Sequence, residues 1–158
     1  MAINSFIAGE SISTGDAVYL NPSGFLYKSV ATGFSQASAV GVAVDAGSSG
    51  ALIRVNSDAI YPAASGLTAG EYRYISLLNS GQNVPYDTWA SELALTAYDG
   101  AYLTVLGRAT STTTLEVEVS KPLFISNPTS VLLLETSGAG LLDAILQEDG
   151  STIDLETA

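Results

Sequence analysis

Over the first 120 residues the apolar positions come in short runs broken by turns bearing Gly, Pro, Asn and Ser, and no sustained helical spacing appears. Ala17-Val18-Tyr19-Leu20 and Phe25-Leu26-Tyr27 flank Asn21-Pro22-Ser23-Gly24, where Pro presets one turn position and Gly accepts positive φ, so this stretch predicts a hairpin. Val40–Val44 and Leu52–Val55 are β-branched runs joined by a connector, 45–50, too rich in Gly and Ser for a helix. Glu71–Ser76, following Gly66-Leu67-Thr68-Ala69-Gly70, is a further strand. The clearest period of two comes last: Leu115, Val117 and Val119 alternate with Glu116, Glu118 and Ser120, so one face packs and the other meets water. In the preceding strand Leu103, Val105 and Ala109 bracket Gly107 on one face, and Gly107 marks a bulge or a close backbone approach. Strands at this spacing predict an all-β chain, an antiparallel β-barrel or sandwich.

Two segments depart from that pattern. In 87–97, Trp89, Leu93 and Thr96 lie at helical spacing and Glu92 stands as a capping acid, which fits a short helical insertion as well as an irregular loop. Tyr86, Trp89, Tyr98 and Tyr102 surround it, as packing residues or, for Tyr86, Trp89 and Tyr98, as candidate surface aromatics. Beyond Ser126-Asn127-Pro128-Thr129-Ser130 the composition changes, so the chain divides into a β-rich domain, 1–125, and a C-terminal segment, 126–158. In that segment Leu132–Gly138 aligns with Ala144–Gly150, each an apolar run ending in a polar turn with Gly. Asp149-Gly150 favours a tight hairpin turn, with Ser151–Leu155 returning, so a β-hairpin-like tail is expected, although Leu141, Leu142, Ile145 and Leu146 also fit a helix. A tail this short buries too little to fold alone. Its apolar residues, Leu132, Leu133, Leu134, Leu141, Leu142, Ile145, Leu146, Ile153 and Leu155, are therefore candidate partner or subunit contacts, or else close the protein's own sheet.

Charge sharpens this division. The 158 residues carry a formal charge of −11, of which −5 falls on 1–122 and −6 on 123–158, where no Lys or Arg occurs. An acidic surface repels phosphate backbones and anionic lipid heads, so neither nucleic acid nor a membrane is expected as partner. No apolar run approaches the ~20 residues of a membrane span. Met1–Gly9 lacks the basic start of a secretory signal, and the absence of Cys fits synthesis in a reducing cytosol.

The chemistry available is narrow. Without His or Cys there is no imidazole base, thiolate or soft metal ligand. Gly66–Gly70 has Thr at the centre of a G-x-x-x-G frame and no His to serve it, and no P-loop is present. Glu116 and Glu118, about 6–7 Å apart at two strand rises, could imitate a hydrolase pair, but alternating acids are also the wet face of a half-buried strand. Asp143, Glu148, Asp149, Asp154 and Glu156 offer oxygen ligands without the order of an EF-hand. No catalytic residue, cofactor or metal is assigned, and the chain is not expected to be an enzyme.

Several stretches carry a resemblance, among them the Leu-rich tail, which resembles C-terminal segments of phage virion proteins. Gly9-Glu10-Ser11-Ile12-Ser13-Thr14-Gly15-Asp16-Ala17-Val18-Tyr19-Leu20, then Gly24–Lys28 and Ala39–Ala43, resemble the opening of small β-rich capsid decoration (cement) proteins of tailed bacteriophages. Gly66–Ser76 with Val105–Val117 is similar to a module of phage head-decoration, head-fibre and tail-fibre proteins. The resemblance implies a structural virion protein, made in the host cytoplasm and commonly a homotrimer. Such a protein binds the major capsid protein and stabilises the capsid exterior. A fibre-associated protein or a carbohydrate-binding β-module are the alternatives.

Overall fold

A computed structural model describes residues 3–62, 64–96 and 100–125, together with the paired strands Ile145–Leu146 and Thr152–Ile153. Contacts divide the chain into two units, Met1–Ile125 and Ser126–Ala158.

The first unit holds two five-stranded antiparallel sheets, a two-stranded sheet and two short helices. Sheet 1 contains β1 (Ile3–Ile7), β2 (Ala17–Leu20), β3 (Leu26–Lys28), β4 (Gly41–Ala43) and β5 (Leu52–Asn56), in the order β1-β5-β4-β2-β3. Sheet 2 contains β6 (Ile60–Tyr61), β7 (Tyr72–Ile75), β8 (Asn83–Pro85), β10 (Val105–Ala109) and β11 (Leu115–Val117), in the order β6-β11-β10-β7-β8. β9 (Tyr102–Leu103) pairs with β12 (Leu123–Phe124), and helices α1 (Phe34–Ala37) and α2 (Tyr86–Leu95) lie between strands.

The expected hairpin forms at β2–β3, with Val18 opposite Lys28. Its turn closes through Gly24 N donating to Asn21 O and Phe25 N to Asn21 Oδ1, and Gly24 takes φ 84°. A closed barrel does not form. Sheet 1 curls until Gly9 N donates to Leu26 O beside a single parallel bridge, Ala8 to Leu26, and a barrel needs a continuous ladder there. The all-β expectation is thus corrected to a mixed arrangement of two open antiparallel sheets with two short helices.

The inner strands of sheet 1, β2 and β4, are buried on both faces, whereas β1 is largely exposed. Ala17 and its partner Val42 face a core shared with Ile75, Leu106 and Leu115 of sheet 2, while Val18, Ala43, Ile53 and Val55 join Ala8, Ile12 and Leu26 in a second core. Sheet 2 buries one face, so Leu115 and Val117 are covered and Glu116 is exposed, as their alternation requires. Gly107 does mark a bulge: the β10–β7 register slips between Val105 and Gly107. A Cβ on Gly107 would run into the Glu116 carbonyl. The slip turns Leu106, rather than Val105, fully into the core, so the face expected for β10 is corrected at that point.

In the second unit, β13 (Ile145–Leu146) pairs antiparallel with β14 (Thr152–Ile153), Ile145 opposite Ile153.

Candidate functional site

The aromatic residues singled out around α2 separate in the structure. Trp89 is only 3% exposed, stacked on Tyr86 at 6.1 Å and tilted against Tyr74 at 6.4 Å, so it is a core residue rather than a surface aromatic. Tyr86 is exposed. Tyr98 lies outside the described residues, as do Leu132, Leu133, Leu134, Leu141, Leu142 and Leu155 and the five acids considered as cation ligands. Ile145, Leu146 and Ile153 are placed only as strand positions in the second unit. Glu92 is not a helix cap. It is buried and accepts Ser76 Oγ at 2.8 Å and Leu77 N at 2.8 Å, with Asn79 Nδ2 at 3.4 Å. Helix α2 is thereby pinned by its carboxylate to the turn after β7.

Between the two sheets lies a polar cleft of about 230 Å³, lined in part by Asp16, Tyr61, Arg73, Gln82, Asn83 and Leu115. Asp16 Oδ2 accepts Ser13 N at 2.8 Å, and burial pushes its carboxyl above the ordinary value, against the opposing pull of that hydrogen bond and of Lys28. Burial, and then the nearby Asp16 charge, push the Tyr61 hydroxyl up as well. Each nitrogen of the Arg73 guanidinium has a partner: Nε donates to Asn83 Oδ1 at 2.9 Å, Nη2 to Asn83 O at 2.8 Å, and Nη1 to Glu71 Oε1 at 2.8 Å. The guanidinium therefore ties β7 to β8. Among the described residues no group of three or more His, Cys, Asp or Glu side chains could hold a metal ion.

The most concentrated binding feature is apolar. Where β9 and β12 pair, Tyr102 stands opposite Phe124, with ring centroids 5.4 Å apart, and Phe34 of α1 meets Tyr102 from the other side at 6.0 Å. Both contacts are edge-on, the arrangement aromatic pairs prefer. Phe34 and Phe124 are nevertheless 62% and 57% exposed, and Leu123 beside them is exposed too. The backbone holds the patch in place: Tyr102 N donates to Ala31 O, Ile125 N to Ala101 O, and Thr104 Oγ1 to Ala37 O. The segments that build it, 29–44, 101–109 and 119–125, contain no carboxylate, on a chain with 16. Three rings held in a fixed, acid-free cluster with two of them exposed suit a protein partner, because interface cores are enriched in aromatics and depleted of Asp and Glu.

Sequence reasoning named Tyr102 but missed Phe34 and Phe124. The readable signal was the acid-free run Val119–Ile125 ending in Leu123-Phe124-Ile125; nothing local linked it to Phe34, which arrives from a distant helix. No protein-family model matches the sequence, and no curated protein matches it.

Proposed function

We propose that this chain is a structural protein of a tailed-bacteriophage particle, fixed to the capsid exterior by contact with the major capsid protein. The observation that carries this reading is the acid-free aromatic patch of Phe34, Tyr102 and Phe124 on an acidic β-rich unit. It supports a role in which a rigid surface meets a protein. The resemblance of 9–20, 24–28 and 39–43 to phage decoration proteins, and of 66–76 with 105–117 to a module of phage head-decoration, head-fibre and tail-fibre proteins, supplies the class of partner. Many copies on a lattice hold by avidity, so each contact can be small, and a patch of three rings is of that order. Negative charge elsewhere keeps free copies soluble and away from packaged DNA.

The test is co-sedimentation with capsids assembled without the protein. Phe34→Ser and Phe124→Ser remove exposed rings and should leave the circular dichroism unchanged. Retention on capsids should fall by about tenfold or more for the pair, since buried aromatics are typical interface hot spots. Full retention by a folded double variant overturns the assignment of the patch.

A further inference from the structure

The cleft between the two sheets holds polar atoms that the fold itself does not use. Asp16 stands just before β2 and is 8% exposed, and Tyr61 ends β6 and is 3% exposed. The turn before β2 spends one carboxylate oxygen, since Asp16 Oδ2 accepts Ser13 N. Among the described residues neither Asp16 Oδ1 nor the Tyr61 hydroxyl has a hydrogen-bond partner. Yet the unpartnered side-chain atoms sealed from solvent there are Ser29 Oγ and Trp89 Nε1. The Asp16 and Tyr61 oxygens are therefore open, and both residues line the cleft. Two glycines leave room beside them. A Cβ on Gly81, at φ 80°, would come within 2.9 Å of Asp16 Oδ1, and one on Gly15, at φ 91°, would stand 3.4 Å from the Tyr61 hydroxyl. Both positions take the left-handed backbone that favours glycine.

A carboxylate oxygen and a hydroxyl held this deep are costly without partners, so they select what can enter. Arg73 lines the same cleft. It spends one N–H of each nitrogen on Asn83 and Glu71, which leaves one N–H on each terminal nitrogen. A carboxylate and a guanidinium in one cleft favour neither a free cation nor a free anion, and among the described residues no three acids gather to hold a metal. The chemistry that satisfies both is a neutral ligand whose hydroxyls donate to a carboxylate and accept from a guanidinium or from the amide of the exposed Gln82. A volume of about 230 Å³ lies below the roughly 300–1,000 Å³ of pockets for drug-sized ligands, so it suits one ring rather than a chain. Leu67 and Leu115 also line it and offer such a ring apolar contact.

We propose that this cleft binds a single neutral sugar ring, free or at the end of a glycan, with Asp16 Oδ1 accepting from one ring hydroxyl and the Tyr61 hydroxyl bonding a second. The site shares no lining residue with the patch of Phe34, Tyr102 and Phe124 and does not rest on capsid binding.

The test uses the purified full-length chain, so its outcome is independent of whether the protein binds a capsid. Amide NMR spectra are titrated with D-glucose, D-galactose, D-mannose and N-acetyl-D-glucosamine, each free and as its methyl glycoside. At least one should bind with a millimolar Kd and move the amide signals of Asp16, Tyr61 and Gln82. Tyr61→Phe and Asp16→Asn, each folded by circular dichroism, should weaken that sugar at least tenfold, because a charged acceptor bonds more strongly than a neutral one and a lost hydroxyl bonds not at all. The Phe34→Ser/Phe124→Ser pair should leave it unchanged. Equal binding of the methyl glycoside assigns the cleft to a glycan end, and binding of the free sugar alone to a free sugar; either supports the proposal. No shift with any of these sugars at their solubility limits, shifts confined to other surfaces, full affinity in both cleft variants, or tighter binding of guanidinium or inorganic phosphate than of every sugar overturns it. The map of shifted amides decides even where a variant disturbs the fold.

Discussion

Two aspartates give the protein opposite responses to acid. Burial raises the Asp16 carboxyl above its ordinary 3.8, so the folded state binds its proton more tightly than the unfolded chain, and stability rises as pH falls through the raised value towards 3.8. Asp45 is half-exposed and held at about 2 by its hydrogen bonds to Arg54, so its contribution is present above 3.8 and is lost as pH falls through 2. Thermal melts between pH 2 and 7 should separate them. Asp16→Asn should melt higher than the parent at pH 7 and flatten the limb above pH 4; Asp45→Asn should flatten only the limb below it. About 0.5 M salt should shrink the Asp45 effect, because that pair is open to solvent. An Asp16→Asn variant with the parent's pH profile would remove the burial argument. Gly107 gives a simpler expectation at the same scale: Gly107→Ala should cost about 1–3 kcal/mol in denaturant unfolding, because the added methyl meets the Glu116 backbone of the neighbouring strand β11.

At the level of elements, the attachment of α2 rests on one carboxylate. Glu92→Ala strands the Leu77 N–H and the Ser76 hydroxyl in the interior, at about 3 kcal/mol, and should unpin the helix. Trp89, the sole tryptophan, reports this directly: its blue-shifted buried emission should move to the red in Glu92→Ala before global unfolding. Unchanged emission would mean that the helix is held by Trp89 and Leu93 alone. The same element shows how far the sequence could be read. The spacing of Trp89 and Leu93 pointed to a short helix, and one formed over Tyr86–Leu95. Glu92 was misread because capping is a local rule, whereas its partners lie about fifteen residues earlier in a turn. Strands with a strict alternation or a turn signal, such as Leu115–Val117 and the β2–β3 hairpin, were legible for the same reason: their pattern is local. β1 and α1 were not, since Ile3-Asn4-Ser5-Phe6-Ile7 alternates only loosely and Phe34–Ala37 is a single turn held by Thr104. The aromatic patch needs three separate segments, so only tertiary structure assembles it.

For the whole molecule, the two units carry different expectations. Removing 129–158 deletes six carboxylates and the apolar runs of the tail, and should lower retention on particles while the far-ultraviolet spectrum of the β-rich unit persists. Collapse of that spectrum would place the tail in the fold of the first unit instead. The reading as a capsid-exterior protein is tested most directly by cryo-electron microscopy of particles whose genome encodes the chain. The expected result is density for many copies distributed over the capsid lattice, with the face bearing Phe34 and Phe124 against the major capsid protein. Density confined to the tail or fibres, or particles without the protein, contradicts it.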